Sequence, residues 1–283
     1  MAATATRRAR AVALTFLLST TTVAWRAATA ESERATTVVR LVVDGTRRTY
    51  RLRTTRAVNG AQPLVIVLHG ATATAREVER RYHWDPLAER RHFVVAYPQG
   101  LDRRWDDTGT RDVDFLRAVV TDISRRTSID TRRIYVTGIS NGGVMTYRAA
   151  CGLAGTLAAI GPVAAWFPDC RPTTPVSVIH IHGLEDDVLP FGGGSASPSV
   201  PHGLAAWRSA DGCGNRVRTI RAGEVTHSTW TQCPPGIAVE LYTIRHGRHE
   251  WPGAVPKIGN ERVSHALDAT TTIWTFFESH PRA

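Results

Sequence analysis

Between Ile134 and Met145 the chain reads IYVTGISNGGVM. An apolar, β-branched run enters a serine flanked by glycines at the spacing G-x-S-x-G, and a helix-like run leaves it. No other stretch restricts the fold as much. A run of this kind is a strand buried on both faces, as in a parallel sheet. Glycines at 138 and 142 remove side chains where a sharp strand-to-helix turn crowds them. The serine then stands at the carboxyl edge of the sheet, beside the first N–H groups of a helix.

The rest of the chain repeats that alternation. Val38–Val43 and Thr49–Arg53 read as an opening hairpin around Asp44-Gly45. Leu64–Leu68, Phe93–Ala96, Ala158–Val163, Val176–Ile181 and Val239–Ile244 read as further strands. Helices are expected over Thr74–Arg90, Val113–Arg126, Val144–Ala150, His202–Ala210 and Glu261–Phe277. In the second of these, Phe115, Leu116, Val119, Val120 and Ile123 recur at helical spacing and predict a face packed on the sheet. Strands alternating with helices predict an α/β fold, an open and mostly parallel sheet in a single domain.

A serine alone is a weak nucleophile. It needs a general base, and the base needs an orienting acid. On such a sheet the order is serine, acid, histidine, each on a loop at the carboxyl end of a strand. After VSVIHIHG (176–183) come Glu185, Asp186 and Asp187. After IAVELYTI (237–244) come His246 and His249. The competing reading of Ser140 is a plain glycine turn, which this ordered set of partners disfavours. An oxyanion hole would use the N–H of Asn141 and an N–H from HGAT (69–72), with Ala71 first and Thr72 next to it. His180-Ile181-His182 has the look of a two-metal H-x-H motif. Leu184 and Glu185 stand where that motif continues with Asp and His, so no metal is expected.

Residues 1–30 read as a cleavable signal peptide. Arg7, Arg8 and Arg10 precede the short apolar run AVALTFLL (11–18), and Ala28-Thr29-Ala30 is an A-x-A site. The run is too short for a membrane span, so no membrane is expected as partner after cleavage. Residues 31–283 would be the folded domain, of a length one core can cover. The formal charge is +10; the first thirty residues hold four arginines and no acid, which leaves about +6. Arginines are scattered among acids, Lys257 is the lone lysine, and no basic run alternates with aromatics, so no nucleic-acid partner is expected. Export to an oxidising compartment would pair the four cysteines in two disulfides. Of three possible pairings, sequence neighbours are expected: Cys151 with Cys170, and Cys213 with Cys233.

Six segments together resemble a known family: PLVIVLHGATATA (63–75), YPQGLDRRWDD (97–107), DVDFLRAVVTDISRRTSIDTRRIYVTG (112–138), GISNGGVMTYRAAC (138–151), HIHGLEDDVLPFGGG (180–194) and HEWPG (249–253). The resemblance is to the polyhydroxybutyrate depolymerase and feruloyl esterase family of exported α/β-hydrolases, and it covers nearly all of 31–283. It implies a serine esterase with Ser140 as nucleophile, needing no cofactor. It selects Asp186 among the three acids and His249, before the W-P-G turn, over His246. The family's usual Thr and Pro around the acid are Leu184 and Asp187 here. Its usual glycine before the histidine is Arg248, and its frequent cysteine after His-Gly is Ala71.

The expected partner is an ester: a small acyl ester, an acyl group on a polysaccharide, or a hydroxyalkanoate oligomer. Trp105, Trp166, Phe167, Phe191 and Trp251 are candidate aromatics of the substrate wall, Trp105 and Trp251 foremost. Trp84, Trp207 and Trp274 fall in helical patterns and read as core. About thirty residues follow HEWPG, enough for a final helix and no granule-binding domain, which favours soluble esters. A serine peptidase on the same fold and a binding protein without activity are the alternative classes.

Overall fold

Among the described residues ten strands share one sheet in the order β1-β2-β4-β3-β5-β6-β7-β10-β9-β8. The strands are β1 Thr37–Val43, β2 Thr46–Arg53, β3 Gln62–Leu68, β4 Val94–Pro98, β5 Ile129–Ile139, β6 Ala159–Val163, β7 Ser177–Gly183, β8 Val217–Ala222, β9 Val225–Trp230 and β10 Val239–Ile244. Among the described residues six helices accompany them: α1 Ala75–Arg81, α2 Trp84–Arg91, α3 Arg111–Arg126, α4 Asn141–Gly152, α5 Val200–Ala210 and α6 Ala269–Ser279. The computed structural model describes Met1 and residues 36–57, 60–167, 169–194, 198–257 and 262–283. The expected signal peptide, apart from Met1, lies outside the described residues. Thr36–Ala283 is one compact unit.

The central strands β4, β3, β5, β6, β7 and β10 run parallel, and antiparallel pairs flank them on both sides. This is the open, mostly parallel α/β sheet expected of the alternating pattern, and the α/β-hydrolase architecture that the resemblance implies. Every residue of β3, β4, β6 and β7 is buried. Such strands have helices on both faces, which explains continuous apolar runs in place of alternation. The opening hairpin turns at Asp44 and Gly45, both with positive φ, as a two-residue turn between right-twisted strands requires. One core layer gathers Phe115, Leu116, Tyr147 and Trp207; the other gathers Trp84, Phe93, Trp274 and Phe277.

Several elements differ from expectation. The helix expected over 74–90 is broken at Tyr82-His83, where His83 takes a left-handed φ of 57°. Pro86 has no N–H to return to the Tyr82 carbonyl, and its ring would crowd it; that carbonyl accepts from the Thr270 hydroxyl instead. The last helix starts at Ala269, capped by Asp268 on the Thr271 N–H. Residues 262–267 are irregular, and Glu261 lies outside the described residues. The hairpin β8–β9 was not anticipated. Every residue of β8 is exposed, so neither face imposes a period-two pattern. Cys151 is bonded to Cys170 and Cys213 to Cys233.

Candidate active site

Ser140 lies between β5 and α4 with φ 56° and ψ −128°. This conformation is rare for a residue with a Cβ and costs about 1–3 kcal/mol. Neighbouring backbone imposes it. The Ser140 N–H donates to the Val163 carbonyl at 3.0 Å, continuing the β5–β6 ladder. Its own carbonyl accepts from Val144 N–H at 2.9 Å and starts the helix. The motif glycines are required by contact. A Cβ at Gly138 would stand 2.7 Å from the Gly142 carbonyl oxygen, and one at Gly142 would stand 2.4 Å from that of His69. No side chain caps α4 at Ser140, so its first N–H groups remain to meet an anion.

The loop after β3 passes close by: a Cβ at Gly70 would lie 3.4 Å from Ser140 Cβ. Three consecutive amides in that loop differ in their use. Thr72 N–H donates to the Arg103 carbonyl at 2.8 Å and Ala73 N–H to that of Gly70 at 3.2 Å. Ala71 N–H has no acceptor among the described residues. Of the two candidates in HGAT, only Ala71 therefore keeps a donor for an oxyanion.

His69 locks this loop. Its Nε2 accepts from Gly100 N–H at 3.0 Å, so Nδ1 carries the proton and donates to the Gly70 carbonyl at 2.8 Å. Burial lowers the His69 pKa, outweighing the hydrogen bond to Gly70, and keeps the ring neutral. Trp105 belongs to the same lock. Its indole N–H donates to the His69 carbonyl at 2.7 Å and its backbone N–H to Asn141 Oδ1 at 2.7 Å. Trp105 is 3% exposed. The sequence expectation that it lines the substrate wall is corrected: it is buried against the loop after β3 with its indole N–H spent on the His69 carbonyl.

The loops after β7 and β10 meet backbone to backbone. A Cβ at Gly183 would stand 2.2 Å from the Gly247 carbonyl oxygen, and Glu185 N–H donates to that carbonyl at 3.0 Å. This contact delivers Asp186 to His249. His249 Nδ1 lies 2.9 Å from Asp186 Oδ2 and 3.1 Å from Oδ1. The same carboxylate accepts from Val188 N–H at 3.0 Å and Leu189 N–H at 2.8 Å. Burial pushes the Asp186 carboxyl up. Hydrogen bonds from His182, His249 and Leu189 N–H, with the charge of His249, outweigh it and hold the group well below the usual carboxylate range. Asp187 is exposed, and Glu185 is turned outward to His246, Oε1 to Nδ1 at 2.7 Å. The geometry thus separates Asp186 and His249 from their sequence neighbours.

Ser140 and His249 line one cavity of 120 Å³ together with Gly70, Ala71, Tyr82 and Trp251. Trp251 contributes to this wall, with its ring stacked on Tyr82 at 4.5 Å and its N–H bonded to Thr270. Phe167 is buried against His180, Trp166 lines a separate groove beside Cys170, and Trp84, Trp207 and Trp274 are core. Among the described residues no group of three or more His, Cys, Asp and Glu side chains has the arrangement to hold a metal; His180 and His182 are hydrogen-bonded to each other, Nε2 to Nδ1, at 3.0 Å.

An elbow serine, an adjacent acid–histidine pair and a ten-stranded mixed sheet define the class: an α/β-hydrolase. No family model matches the chain. Relatives carry the assignment further. "Putative esterase NocK" of Nocardia uniformis subsp. tsuyamanensis is 30% identical over 260 residues, 78% of this chain and 76% of that protein. The bifunctional acetylxylan esterase/xylanase XynS20E of Neocallimastix patriciarum is 30% identical over 197 residues, 66% of this chain and 28% of the relative. Feruloyl esterase B of Piromyces equi is 26% identical over 213 residues, 67% of this chain and 40% of the relative. The fold is shared with the acetyl xylan esterase of Aspergillus awamori, TM-score 0.65 at 13% identity, covering 86% of this chain and 99% of that one. The chain belongs to the esterase family of α/β-hydrolases that includes these acetylxylan and feruloyl esterases.

Proposed function

We propose that this esterase is a secreted serine carboxylic-ester hydrolase that removes acyl groups from plant polysaccharide through Ser140, His249 and Asp186. One observation carries the reading: a buried carboxylate holds His249 Nδ1 through both oxygens, on the wall of the cavity that contains Ser140. A carboxylate can only accept, so Nδ1 bears the proton and Nε2 is the free base. His249 takes the proton of Ser140 as its hydroxyl attacks the ester carbonyl, and Asp186 stabilises the imidazolium. The developing oxyanion is met by the N–H groups of Asn141 and Ala71, each contributing about 3 kcal/mol of barrier lowering. His249 returns the proton to the leaving alcohol, and water releases the acid by the same route.

The polysaccharide-acyl reading rests on the relatives' names and on the shape of the catalytic edge. The Ser140 cavity shares His249, Glu250 and Val263 with an open cleft of 870 Å³, which shares Glu224 with a third cavity reaching Phe191. Small esters do not need so long a groove; a chain bearing acyl groups does. Secretion is supported by the signal pattern of residues 1–30 and by the two disulfides. The test is hydrolysis of p-nitrophenyl acetate and butyrate, methyl ferulate, acetylated xylan, a hydroxybutyrate trimer and a matched amide panel by the protein and its Ser140→Ala variant. Parent-only release of acetate from xylan, or of ferulate, is the expected result. Better turnover of the hydroxybutyrate trimer would replace the substrate class. Turnover by Ser140→Ala would remove the triad.

A further inference from the structure

Behind Asp186 lies a file of buried polar rings that neither core packing nor the three-residue triad calls for. His180 and His182 alternate on β7, so both project from one face. Their exposures are 0% and 2%, and that of Tyr147, on α4, is 0%. Phe167 stacks on His180, and Phe191 meets His182 edge-on at 5.8 Å. Three hydrogen bonds join the file. Tyr147 Oη lies 2.8 Å from His180 Nδ1, and His180 Nε2 lies 3.0 Å from His182 Nδ1. His182 Nε2 is 2.8 Å from the Leu189 carbonyl and 3.3 Å from Asp186 Oδ2.

The bond polarity follows from the far end. Leu189 O and Asp186 Oδ2 can only accept, so His182 Nε2 carries a proton. In a neutral ring Nδ1 then accepts, so His180 must donate from Nε2. His180 is neutral, because burial and then the neighbouring His182 hold its pKa well below the ordinary value. Its Nδ1 therefore accepts from the Tyr147 hydroxyl, whose proton burial makes hard to remove. Every ring nitrogen is satisfied, and every donated hydrogen points toward Asp186.

We propose that His182, its ring fixed by His180 and Tyr147, is a positioning residue of the esterase reaction: it donates to Asp186 Oδ2 and to the Leu189 carbonyl, and so aims the carboxylate at His249. The proposal rests on the Ser140–His249–Asp186 reading. Oδ1 is anchored by two backbone amides, whereas Oδ2 is shared between His182 and His249. Remove the His182 donor and the carboxylate is free to rotate about its anchored oxygen. It also concentrates more negative charge on His249, which favours the imidazolium.

Other ionisable groups also face His249. From the loops after β7 and β10 these are Glu185, Asp187, His246, Arg248, Glu250 and Arg262; from the β8–β9 hairpin, Glu224; across the cavity, Glu77, Arg81 and Lys257. None of them touches His182, so its substitution leaves them in place.

The experiment compares the full chain with His182→Phe, His182→Gln and Ser140→Ala, using p-nitrophenyl acetate across pH 5–9. Loss of a hydrogen bond to a charged group predicts a kcat lowered about tenfold to a hundredfold in His182→Phe. KM should stay within about twofold, because only the transition state uses the bond. The acid limb of kcat/KM should move upward by at least about half a pH unit. His182→Gln, which keeps an N–H near the Nε2 position, should return kcat to within about fivefold of the parent. A folded His182→Phe with parental kcat and acid limb overturns the inference. If that variant does not fold, ¹⁵N spectra of the parent decide. Neutral Nε2–H tautomers at both His180 and His182 at pH 7 support the inference; an imidazolium or an Nδ1–H tautomer at either overturns it. An inert Ser140→Ala beside an unchanged His182→Phe sinks only the present inference, whereas an active Ser140→Ala sinks the triad.

Discussion

The indole N–H of Trp105 donates to the backbone carbonyl of His69, 2.7 Å away and 36 residues apart in sequence. That bond ties the 97–107 segment to the turn that carries Ala71. The segment is held in turn by Asp112, buried, whose carboxylate accepts from Asp106 N–H at 2.7 Å and from Arg48 at 2.5 Å. Trp105→Phe keeps most of the packing and leaves the His69 carbonyl unpaired in the interior. Stability should fall by about 1–3 kcal/mol. Because the proposed oxyanion amide of Ala71 loses its support, kcat should fall several-fold while KM for a small ester changes little. Urea denaturation and steady-state kinetics on one sample check both; an unchanged kcat would detach Trp105 from the oxyanion loop.

The two acids Asp186 and Asp187 separate sharply in a paired substitution. Asn at 186 presents an amide N–H where His249 and His182 both bring donors, so the imidazole loses its productive tautomer. In the serine protease case the matching change costs about 10⁴ in kcat, and a loss of about 10³–10⁴ is expected here. Asp187→Asn, on an exposed side chain, should cost less than about tenfold. A larger loss at 187 than at 186 would reassign the acid.

How much of this was legible in the sequence depends on what set each feature. The elbow was legible because close approach of backbones at 138 and 142 leaves glycine as the one residue that fits. The acid and base were narrowed by their motifs, and the contact of Gly183 with Gly247 supplies the physical reason they meet. Trp105 was misplaced because a loop aromatic carries no sign of which way it faces. In the sequence His180 and His182 have only the look of metal ligands. Their link to Asp186 needed the turn that brings residue 186 back over residue 182, which no periodicity records. The β8–β9 hairpin was missed since an exposed ribbon leaves no alternating trace.

Asp211 gives a stability signature distinct from catalysis. It is fully buried, with Oδ1 accepting from Val176 N–H at 3.0 Å. Burial, only partly opposed by hydrogen bonds from Val176 N–H and the Trp207 indole, raises its pKa to about 7. An acid raised in the folded state binds a proton there that the unfolded chain has already lost. Stability is therefore fully present below the unfolded value of about 4, is lost as pH rises from there to about 7, and levels off above. The loss has an upper bound of about 4 kcal/mol. Asp211→Asn keeps the Val176 bond and carries no charge, so the variant should be flatter with pH and more stable than the parent at pH 8. Urea midpoints at pH 5 and pH 8 with both disulfides intact measure it; equal slopes in parent and variant would clear Asp211.

The disulfides should matter unequally for activity and similarly for stability. Their half-cystines lie 19 and 20 residues apart, and loops of that length confer about 3 kcal/mol by restricting the unfolded chain. Cys151 lies in the last turn of α4, the helix whose first turn carries the proposed oxyanion donor Asn141, while Cys213–Cys233 joins the segment after α5 to the segment after β9. Replacing Cys151 and Cys170 by Ala should therefore lower both the unfolding midpoint and kcat, the second through a looser α4. Replacing Cys213 and Cys233 by Ala should lower the midpoint by a similar amount and leave kcat within about twofold, because that bond touches no element of the site. Denaturation curves and p-nitrophenyl acetate turnover of the two double variants test this. A kcat loss confined to the Cys213–Cys233 variant would place the control of the site in the β8–β9 region and away from α4.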